Sequence, residues 1–356
     1  MDAVTAGPVT ASPSASLAAA PPAGSAIISA RGLSRFYDVP RRREGLRGAL
    51  LDLARPETRR VEAVRGLDLE IARGESVAYI GPNGAGKSTT IKMLAGILKP
   101  SGGELRVLGF EPHRERRQYV RQIGVVFGQR SNLWWDIAVI ESLRLLQRVY
   151  RVSEPDFKAR LEEFDAVLGL GALLKTPARK LSLGQRVRAD IAAALLHAPQ
   201  VIFLDEPTIG LDVSVKARIR AFLRRLHAAG GTIMLTTHDL GDVEAIADRV
   251  IVIDGGQLIF DGPIDRLRQD LGRGARVVIV APDARCEDLN AATLDLGVTW
   301  TPGDAGRFTA GYDARAVSTP ALVGRALAAV KVEDLQLLEA SIEDVVRDLY
   351  EGRSRA

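Results

Sequence analysis

The segment Gly81-Pro82-Asn83-Gly84-Ala85-Gly86-Lys87-Ser88-Thr89 has the residue types and spacing of a loop that cradles phosphates. It satisfies the pattern Gly-x-x-x-x-Gly-Lys-Ser/Thr in full. Its glycines let successive backbone N–H groups turn inward around an anion, and a helix N-terminus adds a favourable field. Lys87 is expected to reach the β- and γ-phosphates, and the Ser88 hydroxyl to ligate magnesium. An apolar run, Ser76-Val77-Ala78-Tyr79-Ile80, precedes the loop, and a helical pattern over 87–97 follows it. That strand–loop–helix context makes the motif a nucleoside-triphosphate site.

A second group of residues suits the same chemistry. Val201-Ile202-Phe203-Leu204 runs directly into Asp205 and Glu206. In open α/β sheets, ligands sit outside the carboxyl ends of the strands. Asp205 is therefore expected to hold magnesium, directly or through water, and Glu206 to orient or deprotonate an attacking water. Alone, an apolar run ending in Asp-Glu is often an ordinary strand-to-turn boundary; beside Lys87 and Ser88 it reads as functional. His238 follows another apolar run, 232–236, and is placed to contact the γ-phosphate.

These residues need a scaffold that brings distant strand ends together. Short apolar runs at 76–80, 123–127, 201–204, 232–236 and 249–253 alternate with helical patterns at 87–97, 137–150, 156–168, 185–196 and 212–228. Most of the runs are nearly continuous and rich in β-branched residues, as strands covered on both faces require. The order predicts an α/β layer architecture. Beyond Pro263 the character changes. A strand over 275–281, an alanine-rich helix over 319–330 and a capped amphipathic helix over 341–350 suggest a small α+β appendage. The expected organisation is a disordered tail over 1–25, a nucleotide-binding domain over 26–265 and an accessory domain over 266–356.

Residues 38–60 form a basic insertion containing Arg41, Arg42, Arg43, Arg47, Arg55, Arg59 and Arg60, with Leu46, Leu50 and Leu53 at helical spacing. It reads either as a solvated surface insertion or as a contact for anionic headgroups or a membrane partner.

Composition narrows the class further. The chain has 356 residues, 46% hydrophobic and 26% charged, which is enough to bury a core. Its single cysteine, Cys286, makes neither an intrachain disulfide nor a cysteine-rich metal site, so a reducing compartment is expected. No apolar run approaches the roughly 20 residues that span a bilayer, and no basic-then-apolar leader opens the chain. With 48 basic against 44 acidic residues, the net charge of +4 gives little support to a nucleic-acid partner, and none is expected.

In this order the motifs resemble those of the ATP-binding subunits of ABC transporters, and further segments extend the match. Leu181-Ser182-Leu183-Gly184-Gln185 resembles the family signature, normally Leu-Ser-Gly-Gly-Gln. Gln129, after the 123–127 strand, looks like the glutamine that links magnesium to the membrane subunits. Pro207-Thr208-Ile209-Gly210-Leu211-Asp212 resembles the D-loop, His238 the switch histidine, and Tyr37 the aromatic that stacks on adenine, with Phe36 as its neighbour. The resemblance covers about 27–265 and implies a P-loop NTPase domain with a RecA-like core plus a helical subdomain. It implies ATP and Mg2+ as ligands, with Ser88, Gln129 and Asp205 around the metal. It also implies head-to-tail pairing of two copies, so that Ser182, Gly184 and Gln185 complete the partner's site. Leu183 departs from the family glycine; a requirement for positive φ there would cost about 1 kcal/mol or more.

The insertion, the segment from Gly128 to Asp136 with Trp134-Trp135, and the Leu-Ser-Leu-Gly-Gln-Arg variant resemble a bacterial exporter group. Its members are described as daunorubicin-resistance-like or viologen-exporter-like, and they pair with separate ABC-2-type permeases of about six transmembrane helices each. The tandem tryptophans fit either a partner interface or this subunit's own helical subdomain. The expected function is ATP hydrolysis driving export, performed peripherally at the cytoplasmic face of the membrane. The alternative is a soluble ABC-type ATPase acting on ribosomes or DNA. One phosphate loop, one signature and the short span from Lys87 to Arg179, with no room for a long coiled coil, favour the transporter reading.

Overall fold

A computed structural model of the chain describes residues 26–40, 58–128, 130–271, 275–314 and 316–338. Strands β1 (Ala26–Pro40) and β2 (Thr58–Ala72) form a long antiparallel hairpin, and β4 (Gly102–Val107) pairs with the other edge of β1. Between them in sequence come β3 (Ser76–Ile80) and helix α1 (Lys87–Leu94). After β4 follow α2 (Arg116–Tyr119), β5 (Ile123–Phe127), α3 (Val139–Tyr150), α4 (Glu154–Leu168) and α5 (Leu183–Leu195). The domain continues through β6 (Val201–Asp205), α6 (Val213–Ala228), β7 (Thr232–Thr236), α7 (Leu240–Ile246), β8 (Arg249–Asp254), β9 (Gln257–Pro263) and α8 (Ile264–Leu271).

Every residue of β3, β6 and β7 is buried, so these strands need cover on both faces. They form the centre of a six-stranded sheet of order β5-β6-β7-β3-β8-β9, parallel except for β9. Because strand side chains alternate between faces, each strand feeds two cores. Val77, Tyr79, Phe203, Met234 and Ile251 pack with Ile28, Leu67 and Ile71 of the hairpin. Their neighbours Ala78, Ile80, Ile202, Leu204, Ile233, Leu235 and Val250 pack with Leu143, Phe157, Phe164, Ile191 and Phe222 of the helices. This is the expected RecA-like α/β core with a helical subdomain.

The five strands expected in this core are present, with β6 and β8 each one residue longer than expected. Helix ends differ for identifiable reasons. The helix expected to reach residue 97 stops at Leu94, because Gly96 is left-handed and a Cβ there would meet the Pro112 carbonyl at 2.5 Å. The helix expected from 156 begins at Glu154, where Ser153 caps it and Pro155 fits the first turn. The helix expected from 185 begins at Leu183.

The hairpin strands extend into both ends of the basic insertion. Residues 38–60 do not interrupt the strand at either end: Asp38 pairs with Arg60, Val39 with Arg59 and Pro40 with Thr58. The Arg60 guanidinium covers the Phe36 ring at 3.9 Å, a cation–π contact that joins the two strands. The tail over 1–25, the leucine-spaced segment within 41–57, Gln129 and the helix expected at 341–350 lie outside the described residues.

The C-terminal segment builds its own sheet from β10 (Ala275–Val280), β11 (Trp300–Pro302), β12 (Arg307–Tyr312) and β13 (Asp334–Leu338). The order β11-β12-β10-β13 is antiparallel throughout, and helices α9 (Cys286–Ala292) and α10 (Thr319–Ala329) accompany it. Val277, Ile279, Leu289, Trp300, Phe308 and Leu322 form its core, separate from the other two. Trp300 is 2% exposed, and its indole N–H donates to the Thr293 hydroxyl at 3.2 Å. Trp300→Ala should therefore destabilise this unit by about 3–5 kcal/mol and leave ATP affinity unchanged. Urea unfolding followed alongside fluorescent-nucleotide titration checks both outcomes.

Candidate nucleotide site

The loop between β3 and α1 is shaped by contacts that admit only glycine at two positions. A Cβ on Gly81 would lie 2.4 Å from the Ile253 carbonyl, and one on Gly86 would lie 2.3 Å from the Ala63 carbonyl. Gly86 also has φ 104° and forms the N-cap of α1, so the first amides of that helix open onto the loop. Pro82, Asn83, Gly84 and Ala85 complete the loop, and Thr89 sits in the first helical turn.

Lys87 is buried, and its Nζ donates to the Gly81 carbonyl at 2.6 Å and to the Pro82 carbonyl at 3.2 Å. Burial lowers its pKa, while Glu206 and Asp205 act in the opposite direction. The ammonium thus rests on loop carbonyls, a position from which it can turn to an arriving phosphate.

The sheet order brings the other residues alongside. β7 lies between β6 and β3 in the sheet, so Asp205, Glu206 and His238 emerge at the carboxyl ends on the side where the loop begins. Asp205 Oδ1 accepts from the Ser88 hydroxyl at 3.1 Å and from the Thr236 hydroxyl at 2.6 Å. The Glu206 amide donates to Thr236 Oγ1 at 3.1 Å. Glu206 has φ 55°, a left-handed conformation uncommon for a residue with a side chain. Its Oε2 lies 2.7 Å from His238 Nδ1. Glu206 and His238 are therefore hydrogen-bonded to one another, which the sequence did not indicate.

Gln129 lies outside the described residues, but its neighbour is fixed. The Gly128 amide donates to the Asp205 carbonyl at 2.8 Å, and a Cβ on Gly128 would meet the Glu206 carbonyl at 2.6 Å. Tyr37 is half-buried on β1, with the Arg35 guanidinium 4.7 Å from its ring centroid, while Phe36 faces Arg60. Consecutive strand residues point to opposite faces, so the two aromatics are not interchangeable.

The signature segment is organised differently from the expectation. Ser182 is the N-cap of α5, and Leu183 and Gly184 belong to its first turn. Ser182 Oγ accepts from the Gln185 amide at 3.3 Å, and Gln185 Oε1 accepts from the Ser182 amide at 2.9 Å, a reciprocal capping box. Leu183 is not among the positive-φ residues, so the anticipated strain does not arise. Among the described residues, no hydrogen bond joins this segment to the phosphate loop.

Trp134 and Trp135 are 46% and 51% exposed, so each ring is partly packed on this subunit and partly open. The Arg186 guanidinium lies 5.5 Å from the Trp135 ring centroid. One turn further along α5, Asp190 was missed by sequence reasoning, although an acid within Ala-Asp-Ile-Ala-Ala-Ala is a visible signal. Its Oδ1 accepts from the Ser131 hydroxyl at 2.8 Å and from the Asn132 amide at 2.6 Å, anchoring the segment before the tryptophans to the signature helix. Thr236 was also missed as a partner of Asp205.

A phosphate loop at the strand–helix turn of a RecA-like core, facing an acidic strand end, defines a P-loop NTPase. A family model described as ABC transporter matches residues 64–209. The chain is 35% identical to the ABC transporter ATP-binding protein NatA of Bacillus subtilis over 55% of its length and 79% of that protein. It is 34% identical to the daunorubicin resistance ATP-binding protein DrrA3 of Streptomyces coeruleorubidus over 77% of its length and 86% of that protein. A solved ATP-binding subunit of an ABC transporter superposes with a TM-score of 0.59 at 26% identity, covering 69% of this chain and 93% of that one. A dimeric bacterial ABC transporter cassette does so with 0.55 at 26% identity, covering 67% and 98%. The chain belongs to the ABC transporter family, as an ATP-binding subunit that hydrolyses ATP.

Burial raises the Asp190 pKa to about 6, against the opposing effects of Ser131, Asn132 and Arg186. A carboxyl raised on folding contributes stability that is full below its unfolded pKa and is lost as pH rises through its folded value. Relative to Asp190→Asn, the native protein should lose about 1 kcal/mol of stability between about pH 5 and about pH 8. Urea unfolding of both proteins at the two pH values measures this.

Proposed function

We propose that the chain is the motor of an exporter, coupling ATP hydrolysis to substrate movement through separate ABC-2-type permeases at the cytoplasmic face of the membrane. The observation that carries the catalytic part is the gathering of Lys87, Ser88, Asp205, Glu206 and His238 at one end of the sheet, with Glu206 and His238 at 2.7 Å. Support for export comes from relatives whose descriptions are daunorubicin resistance and Nod factor export ATP-binding proteins. Among the described residues no helix is long and apolar enough to cross a membrane, so transport through this chain would need partners. The exposed Trp134-Trp135 pair offers an aromatic surface of the kind enriched in interfaces.

In this reading the loop amides of residues 81–86 and the ammonium of Lys87 receive the phosphates, and Tyr37 supplies the face on which adenine stacks. The Ser88 hydroxyl and the Asp205 carboxylate, 3.1 Å apart, are hard oxygen donors that fit Mg2+, with Gln129 as the third residue of that group. Bound there, Mg2+ would neutralise charge on the β- and γ-phosphates. Glu206 holds and deprotonates the attacking water, and His238 contacts the γ-phosphate while keeping the Glu206 carboxylate oriented. Two copies pair head to tail, so that the α5 N-terminus with Ser182, Gly184 and Gln185 reaches the nucleotide held by the other copy.

Glu206→Gln should lower phosphate release by about a hundredfold or more, because the amide cannot accept a proton from water, while ATP binding persists. Lys87→Ala should weaken ATP binding by about tenfold or more. Phosphate-release assays and titration with a fluorescent ATP analogue read the two effects. Turnover by Glu206→Gln within about threefold of the native rate would remove Glu206 from the base role.

A further inference from the structure

Asp242 in α7 takes no part in the chemistry proposed above, yet it is fully buried and both of its carboxylate oxygens are engaged. Oδ2 accepts a short hydrogen bond from the Thr208 hydroxyl and one of 2.9 Å from the Thr237 hydroxyl. Oδ1 accepts from Arg220 Nε at 2.7 Å. Thr208 follows Glu206 by two residues, and Thr237 immediately precedes His238. Both threonines are buried, at 2% and 1% exposure. One carboxylate therefore joins the loop carrying Glu206 to the loop carrying His238.

Packing of α6 against α7 does not account for this arrangement. That contact already has the Arg220 arm of Asp242, and Asp239, at the N-cap of α7, pairs with Lys216 at 2.5 Å and Arg220 at 3.1 Å. The two hydroxyl arms run instead to loops. They also complement the neighbouring residue: Thr236 reaches Asp205, while Thr237 reaches Asp242. Glu206 leaves this point in a left-handed conformation, which persists only where the surroundings fix the backbone on both sides. The Thr236 contact holds it on one side and Thr208 on the other.

The geometry points to Asp242 as a positioning residue that, by clasping Thr208 and Thr237, sets the approach of His238 to Glu206. This rests on the reading of Glu206 and His238 as the hydrolytic pair.

Thr208→Val and Thr237→Val each remove one arm with little change in shape and leave the Arg220 pair intact. In steady-state ATPase assays on the full chain, each should lower kcat by about tenfold or more, with KM for ATP within about twofold of native. Thr208→Ser and Thr237→Ser, which keep the hydroxyl, should recover native kcat to within about twofold. The double valine variant should be little slower than the slower single one, because either cut opens the same clasp. Amide exchange across residues 236–239 in nucleotide-free protein supplies a readout independent of turnover. It should quicken by about tenfold or more in both valine variants. Valine variants with native kcat and native exchange, in a preparation where Glu206→Gln is inactive, would overturn the clasp. Serine variants as impaired as the valine ones would overturn it as well. A Glu206→Gln protein that still turns over would remove the underlying pair, and the clasp's role with it.

Discussion

One oxygen of the Asp205 carboxylate accepts both the Ser88 and the Thr236 hydroxyls, and the geometry of the site follows from that convergence. Ser88 belongs to the helix after β3, Thr236 ends β7, and Asp205 ends β6 between β5 and β7. Two strand ends and a helix N-terminus are thereby tied at a single buried point, since Asp205 is only 8% exposed. Such a carboxylate is tolerable only with its oxygens engaged. The two hydroxyls engage Oδ1, and the carboxylate and Ser88 oxygens are the hard donors that a divalent cation would use. Glu206 and His238 then fall beside one another because they follow the paired strand ends Asp205 and Thr236, one and two residues out.

The sheet can hold those ends in register because its strands are buried on both faces. Val77 and Tyr79 face the hairpin core, and Ala78 and Ile80 face the helical core. A slip of one residue would exchange the two sets and carry Asp205 and Lys87 out of line. Close backbone approaches add a second constraint, with Gly81 against Ile253 and Gly86 against Ala63. The phosphate loop is thus braced by β8 and by the hairpin, not by its own turn alone.

Much of this was legible in the sequence for physical reasons. The central strands are continuous apolar runs, and the motifs have fixed spacing. The outer hairpin was harder to read, because its half-exposed strands mix Arg35, Arg59 and Arg60 with Phe36 and Val39, a pattern that resembles a solvated insertion. In the C-terminal sheet, Val277–Ile279 announced β10, whereas β13, with Gln336 and exposed Leu337 and Leu338, has no clear period. At the site, motif residues were found and their partners were not. Glu206 with His238, Asp190 with Ser131 and Asp242 with Thr208 are pairings between segments distant in sequence. Spacing within one segment carries no trace of them.

Sharing of each nucleotide between two copies is the central claim, and it has a structural motive. The Ser182–Gln185 capping box presents a helix N-terminus, yet no hydrogen bond among the described residues links it to the same chain's phosphate loop. Sedimentation of the Glu206→Gln protein at micromolar concentration with saturating magnesium-ATP tests the claim most directly, because that variant should hold nucleotide without consuming it. The account predicts an ATP-dependent dimer that Ser182→Arg abolishes while each chain still binds ATP through its own Lys87. A dimer that forms equally well with Ser182→Arg, or a strictly monomeric species even with the permeases present, would contradict it.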